Sequence, residues 1–364
     1  MVEINLKSRI NKIFIAQFMG MGNLFLSIPF LKSLRRVFPD AKIILLARSK
    51  EAGQVLVYSH LIDDLIVSDF LPISSKDFLT WGFWWSFLSI VKIFRIEKPN
   101  IVFFLYPNLK FWLPFAAMLG GIPLRFGHRY FWKKETSLFL THYLTRNPGI
   151  HEVQQNLQLL QLLGIEAQSE KMDIDLSQLS VNLINNGWIN IGIHPGSGYG
   201  MKIKRWDINN FIELAKRLTN KFKNLKIHFF IGPEDKDLLN SLNTLRGSPN
   251  IFILEPYSLI DTIQNVVKCS LLITNDSGLM HVARICNKSV VSLFGPTSEN
   301  VTGPWPLDDP GIYIINKKLY CSPCYIHGKG KFNIVCDFRI DCLVGIPVEE
   351  TFCTVEDAIQ KLII

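Results

Sequence analysis

Apolar positions along the chain fall into short runs, and the segments between them carry apolar residues at helical spacing. Ile13–Ala16 reads as a strand, Leu24–Phe38 as an amphipathic helix and Ile43–Leu46 as the next strand. An aromatic helix around residues 78–95 leads to a strand at Ile101–Leu105. A helix over His151–Leu163 then ends at Gly164, the residue type that most easily takes the left-handed turn closing a helix. The second half keeps the rhythm with cleaner boundaries. Ile191–His194, Lys226–Ile231, Ile251–Leu254, Leu271–Thr274 and Val290–Phe294 are short β-rich runs, separated by helical patterns around 207–222, 234–245, 258–268 and 277–286. Strands alternating with helices of this length predict an α/β fold, with parallel sheets covered by helices on both faces.

Between the halves, GIEAQSEKMDIDLSQLSVNLINNG is polar and lacks long periodic runs. It reads as an interdomain connection. The expected organisation is a first domain over 1–170, a linker over 171–188, a second domain over 189–345 and a C-terminal helix over 346–364. Two such domains place a ligand cleft between the carboxyl ends of their strands. With 364 residues, 48% of them hydrophobic and 19% charged, the chain has material for two cores. The most apolar region, Phe78 to Leu119, is interrupted by Lys92, Arg95, Glu97, Lys98, Pro107, Lys110 and Pro114, so no membrane span is expected there. The first 18 residues show no secretory signal pattern, which points to a cytoplasmic protein. Lys and Arg number 39 against 31 Asp and Glu, a bias suited to an anionic partner. The basic residues are scattered and match no nucleic-acid motif, so no nucleic-acid partner is expected.

Three loops at strand ends carry candidate chemistry. In IGIHPGSGYGMKIKRW (191–206), Gly196, Ser197 and Gly198 let backbone N–H groups converge on phosphate oxygens, and Lys204 or Arg205 can neutralise them. In TNDSGLMHVARIC (274–286), Asp276 or Ser277 can cap a helix, Gly278 permits close backbone approach, and His281 shares the Ser277 face. The third, SLFGPTSENVTGPW (292–305), again leaves a strand for a Gly/Pro-rich loop. The first alone divides evenly between this and a flexible surface loop, and for the second a capped helix with one buried His is the commoner reading; three such loops at one sheet edge are harder to dismiss than any one.

Taken in order, these segments resemble glycosyltransferase family 9, the ADP-heptose:lipopolysaccharide heptosyltransferase family. GMGNLFLSIPFLKSLRRVFPDA resembles the family's opening, IPLRFGHR its acceptor-side loop and HEVQQNLQLLQLLGI the helix before its linker. HPGSG…KRW, NDSGLMH and LFGPT resemble its donor-domain signatures. The resemblance implies a GT-B fold, two Rossmann-like domains facing a cleft, and metal-independent inverting transfer. It implies a nucleotide-sugar donor held by the second domain, at Gly196, Ser197, Lys204, Glu234, Asp276, Ser277, Gly278 and His281. It places a glycan or lipid-linked acceptor against the first domain, near Gly22, Arg125 and Arg129.

One position departs from that pattern. The family's base is the Asp of a Gly-Asp pair, and the matched residue here is Asn23, whose amide cannot accept a proton. Asn23 retains a structural use as N-cap of the helix starting at Leu24. His128 is the best substitute base by chemistry, ahead of Asp40 and Asp77. The alternatives are a different sugar or acceptor, or a nucleotide-sugar-binding relative with little turnover. A DxD match at Asp173-Ile-Asp175 falls in the linker and reads as incidental.

Two features stand apart. Cys321-x2-Cys324, Cys336 and Cys342 have spacing suited to a tetrahedral Zn or Fe ion, with His327 as an alternative ligand and Gly328, Lys329 and Gly330 giving a knuckle-like turn. Such an ion is structural; no catalytic metal is expected. In the aromatic helix, Trp81, Trp84 and Trp85 share a face, which most simply means core. The sharper reading sets these rings, beside Lys92, Arg95 and Lys98, against an anionic membrane surface.

Overall fold

The computed structural model describes residues 10–68, 80–106, 111–131, 133–168, 170–179, 187–198, 200–325, 336 and 341–363. The chain divides into two compact units, Met1–Lys171 and Met172–Ile364. The first holds strands β1 (Lys12–Gln17), β2 (Lys42–Ala47), β3 (Asp64–Val67), β4 (Ile101–Phe104), β5 (Leu124–Arg129) and β6 (His142–Thr145). Its helices are α1 (Met21–Phe25), α2 (Ile28–Val37), α3 (Lys50–Tyr58), α4 (Trp81–Glu97), α5 (Trp112–Leu119) and α6 (Glu152–Gln161). The strands pair in parallel in the order β3-β2-β1-β4-β5-β6.

The second unit contains β7 (Ile189–His194), β8 (Leu225–Phe230), β9 (Ile251–Leu254), β10 (Leu271–Asn275), β11 (Ser289–Phe294) and β12 (Ile312–Asn316). Between and after them run α7 (Ile208–Lys221), α8 (Leu239–Leu242), α9 (Leu259–Val267), α10 (Gly278–Ile285), α11 (Glu299–Thr302), α12 (Asp341–Val344) and α13 (Val348–Ile363). Its sheet is also wholly parallel, in the order β12-β11-β10-β7-β8-β9. Counted from its own first strand this is 3-2-1-4-5-6, the order of the first sheet and the doubly wound, Rossmann-like arrangement. Strand order reverses between β1 and β4 in one unit and between β7 and β10 in the other. Crevices at such reversal points, outside the carboxyl ends of the strands, are where these sheets bind ligands.

Continuous apolar runs, not alternation, mark these strands because helices bury both faces. All four residues of Ile101–Phe104 and all five of Leu271–Asn275 are buried. In the second unit, Trp206, Phe211, Leu214 and Leu218 of α7 and its approach pack with Val355 and Ile359 of α13 against Ile191, Ile227 and Ile273.

Several local expectations change. The helix read over Leu24–Phe38 is two helices, because Pro29 supplies no N–H for the carbonyl one turn earlier and the helix restarts at Ile28. Asn23 is not an N-cap. Helix α1 begins at Met21 with Gly20 in the capping position, so Asn23 lies inside the first turn with its side chain free for other use. The expected helix over 234–245 is a chain of short turns, Pro233–Leu238, Leu239–Leu242 and Asn243–Leu245. The core reading of the tryptophans is overturned. Phe83, Phe87, Ile90, Val91 and Phe94 form the buried face of α4, while Trp81, Trp84 and Trp85 are exposed. Asp77, His327 and Gly328 to Gly330 lie outside the described residues.

Candidate functional site

The three strand-end loops of the second unit meet at one carboxylate. β10 runs out at Asn275, placing Asp276 and Ser277 at the carboxyl edge just before α10. From the loop after β7, the Lys204 ammonium reaches Asp276 Oδ2 at 2.7 Å, both side chains being about nine-tenths buried. From the loop after β11, Thr297 Oγ1 donates to the same oxygen at 2.7 Å. Asn275, fully buried, ties the loops together. Its amide nitrogen donates to the carbonyls of Pro195 (2.8 Å) and Gly196 (3.1 Å), and its oxygen accepts from the Trp206 amide at 3.0 Å. Trp206 is anchored in turn, its indole N–H donating to the Ile346 carbonyl at 3.1 Å.

Ser277 occupies the N-cap position of α10 but makes no capping bond; its hydroxyl pairs with Thr274 Oγ1 at 2.9 Å. In the first turn of α10 the Met280 amide donates to the Ser277 carbonyl at 3.2 Å, and the helix dipole adds partial positive charge at this end. His281, one turn on, is buried, and burial holds its pKa at about 4 although Asp276 pulls it up; Lys204 adds to the fall. The ring is therefore neutral near pH 7. Lys204, Asp276, Ser277, Gly278 and His281 thus share one corner, which combines a cation, a helix N-terminus and an uncharged imidazole.

Gly196 and Ser197 flank this corner with structural tasks. A Cβ on Gly196 would sit 2.1 Å from Asp235 Oδ2, so only glycine lets the loop pass over that carboxylate. Asp235 is buried and receives Arg205 at 2.6 Å. Ser197 Oγ donates to the Met201 carbonyl at 2.8 Å, closing the turn. Glu234 is exposed, and the residue joined to the loop is its neighbour Asp235; only the Glu234 carbonyl meets Arg205. Desolvation and Asp235 raise the Glu234 pKa, with Arg205 opposing. Asp175 and Asp173 of the DxD match are spent locally: Asp175 accepts from the Ser177 amide at 2.9 Å, and Asp173 lies near Arg284.

In the first unit, Asn23 Nδ2 donates to Glu152 Oε2 at 2.8 Å. Asn23 is partly exposed, whereas Glu152, first residue of α6, has no exposed surface. His128 lies in strand β5 and not in a loop. It is 4% exposed, and its Nε2–H donates to the Gln155 carbonyl of α6 at 3.0 Å. Burial holds its pKa at about 4; the bond to Gln155 opposes this and Arg146 reinforces it. Arg125 is committed to the carbonyls of Ile122 (2.5 Å) and Phe139 (2.7 Å). Arg129 holds Thr145 Oγ1 at 3.0 Å and lies over the Tyr143 ring. Gly22 sits within α1, its carbonyl accepting from the Leu26 amide. Asp40 is exposed after α2.

The four clustered cysteines are free thiols. Cys342 is pushed up to about 11 by burial and by neighbouring Cys324, Cys336 and Cys321; Cys324 is raised by burial and by Cys336 and Cys321. Cys342 thus lies within electrostatic reach of the other three, and Cys324 within reach of Cys321 and Cys336. Among the described residues no three His, Cys, Asp or Glu side chains are drawn together tightly enough to hold a metal ion. The segment leans on the Gly295–Pro296 turn, where the amides of Cys324 and Tyr325 donate to the Pro296 carbonyl at 3.0 and 2.9 Å. Tyr325 brings its ring 5.8 Å from Lys204 Nζ.

Sequence reasoning did not single out Asn275, Asp235, Thr297 or Glu152. Asn275 and Thr297 stand inside segments already marked, directly beside the residues chosen. Asp235 had the signal of a strand end followed by Gly-Pro. Glu152 had none, because its partner is 129 positions away.

Over 180 residues the chain is 30% identical to lipooligosaccharide heptosyltransferase 2 of Campylobacter jejuni, a match covering 48% of this chain and 55% of that protein. The chain thus spans about half the length of that curated relative. Lipopolysaccharide heptosyltransferase 3 of Escherichia coli is 26% identical over 317 residues, covering 78% of this chain and 82% of the relative. Among solved structures, E. coli ADP-heptose lps heptosyltransferase II superposes with a TM-score of 0.71 at 19% identity, covering 97% of this chain and 100% of that one. It shares the two-domain GT-B fold. The profile of glycosyltransferase family 9 (heptosyltransferase) matches residues 114–329, more than half of the chain, and the protein belongs to that family.

Proposed function

We propose that this protein is an inverting glycosyltransferase that moves heptose from an ADP-sugar to a hydroxyl of a lipopolysaccharide core or related glycan. The observation that carries this reading is the convergence of Lys204, Asp276 and Thr297, one from each signature loop, at the N-terminus of α10. As the bond from the anomeric carbon to the diphosphate breaks, its electron pair leaves with the diphosphate. Lys204 and the N-terminus of α10 would stabilise that charge from positions set by the fold, with little reorganisation during the step. His281 stays neutral and so does not offset the charge of Asp276. The test is ADP release from ADP-heptose with heptose-deficient lipopolysaccharide as acceptor. Absence of both ADP release and ADP binding would refute the reading.

A second reading rests on Asn23: a relative that binds the nucleotide-sugar without transfer, or one that serves another sugar or acceptor. Calorimetric ADP binding without ADP release would favour it. The spacing of Cys321, Cys324, Cys336 and Cys342 would suit a structural Zn or Fe ion; elemental analysis of purified protein finding no metal would remove it. No helix among the described residues is long and apolar enough to cross a membrane. The exposed stripe of α4 suits docking on the cytoplasmic membrane face instead. Trp81, Trp85 and Leu88 are 88%, 77% and 60% exposed, and Lys92 and Arg95 extend the same face. Apolar rings with adjacent cations match an anionic lipid interface, where a lipid-linked acceptor would be met.

A further inference from the structure

If transfer occurs, some group must take the acceptor proton, and the residue at the family's base position is an amide. The structure sets a carboxylate directly behind it. Glu152 Oε2 lies 2.8 Å from Asn23 Nδ2, and an ionised carboxylate only accepts, which fixes the amide with its nitrogen inward. Glu152 is held at this edge by a buried polar layer. His128 donates to the Gln155 carbonyl, Asn156 Oδ1 accepts from the Tyr106 amide at 3.1 Å, and Gln17 donates to the Tyr106 carbonyl. The first half of α6 is thereby stitched to the carboxyl ends of β1, β4 and β5, across the strand-order reversal. Glu152 is the first residue of α6, so its carboxylate stands at the positive end of the helix dipole.

We propose that Glu152 is the catalytic base of this chain, its function relocated from position 23 to the residue behind it. This rests on the transfer reading above. The acceptor hydroxyl takes the place of Asn23 Nδ2 as donor to Glu152 Oε2. Its oxygen forms the new bond to the anomeric carbon, the bond to the diphosphate breaks with its electron pair, and the hydroxyl proton passes to Glu152. Asn23 covers the carboxylate in the free protein and its partly exposed side chain marks the way in. His128 is the weaker candidate, since its Nε2–H is spent on a backbone carbonyl and its ring lies in a buried strand.

The experiment compares four proteins, wild type, Glu152→Gln, Asn23→Asp and Asn23→Asp/Glu152→Gln, by ADP release from ADP-heptose and by ADP binding. Loss of a positioned base lowers turnover by roughly 10²- to 10⁴-fold, so Glu152→Gln should lose that much while binding ADP as the wild type does. Asn23→Asp alone sets two carboxylates 2.8 Å apart, so that they share a proton and turnover falls. The double variant reverses the amide and the carboxylate, keeps their hydrogen bond and so keeps the fold; it should regain at least tenfold over Glu152→Gln. Wild-type turnover retained in Glu152→Gln overturns the proposal, and recovery in the double variant shows that Glu152→Gln lost a proton acceptor and not the fold. A wild type that binds ADP yet releases none overturns the transfer reading itself, and Asn23→Asp gaining activity regardless of residue 152 would confirm that outcome.

Discussion

Replacing Lys204 with Met tests whether the Lys204–Asp276 pair is the keystone of the donor corner. Met keeps most of the length of the side chain and removes the charge. Asp276 would then remain 7% exposed with its cation gone and Thr297 still donating to it. Removing one partner of a buried pair costs about 3–5 kcal/mol, and the surviving Thr297 bond puts the expectation at the lower end. For a unit of this size about 1 kcal/mol lowers the melting temperature by about 2–4 °C, so the second unit should melt about 6–12 °C earlier. Lys204→Met/Asp276→Asn removes the stranded charge while keeping an acceptor for Thr297, and should recover at least half of that loss. ADP binding should weaken roughly ten- to hundredfold in both, the worth of one charge-assisted hydrogen bond to phosphate. Scanning calorimetry gives the first quantity and titration calorimetry the second. A single variant melting within about 1 °C of the wild type, against the larger shift expected for a unit of this size, would refute the reasoning. So would a double variant no more stable than the single.

Other outcomes are expected. Gly196→Ala must push Asp235 away from Arg205, and should lower both the melting temperature and ADP affinity; an unchanged melting curve would show that the loop yields freely. Because His281 and His128 sit at about 4 when folded, the unfolded chain takes up protons that the folded one refuses, so their contribution is intact above pH 6.5 and is lost as pH falls towards 4. Each should cost about 2 kcal/mol between pH 7 and pH 5, and urea unfolding of His281→Gln should show a correspondingly flatter pH dependence; an identical slope would contradict it. Trp81→Ser/Trp85→Ser should reduce sedimentation with phosphatidylglycerol vesicles, leaving ADP binding intact, and equal sedimentation would exclude that face. Cys324→Ser should remove bound metal and, by loosening Tyr325 near Lys204, weaken ADP binding several-fold; full metal content in the variant would argue against thiolate ligation.

The donor corner was legible because its parts are local. A strand end, small residues and a following helix fall within a dozen positions, and three such segments point at one sheet edge. What escaped was set by tertiary contact. Asn23 reads as a cap until Gly20 proves to start the helix, and its partner Glu152 cannot be paired with it from spacing. The helical spacing of Trp81, Trp84 and Trp85 says that they share a face, yet Phe83, Phe87 and Phe94 describe an equally apolar one. Only packing on β4 and α5 decides which is inside. Strands β3, β5, β6 and β12 went unread since β3 and β6 are largely exposed and β5 carries Arg125, His128 and Arg129.

Gly196 and Asp235 also bear on how such a sequence can change over generations. Any side chain at 196 collides with the carboxylate at 235, and any loss of that carboxylate leaves Arg205 buried with only Asp237 and a carbonyl. Single steps at either position pass through a damaged protein, while a joint change need not. The two sites, 39 positions apart, therefore behave as one heritable character, and lineages that alter this loop should alter both together or neither.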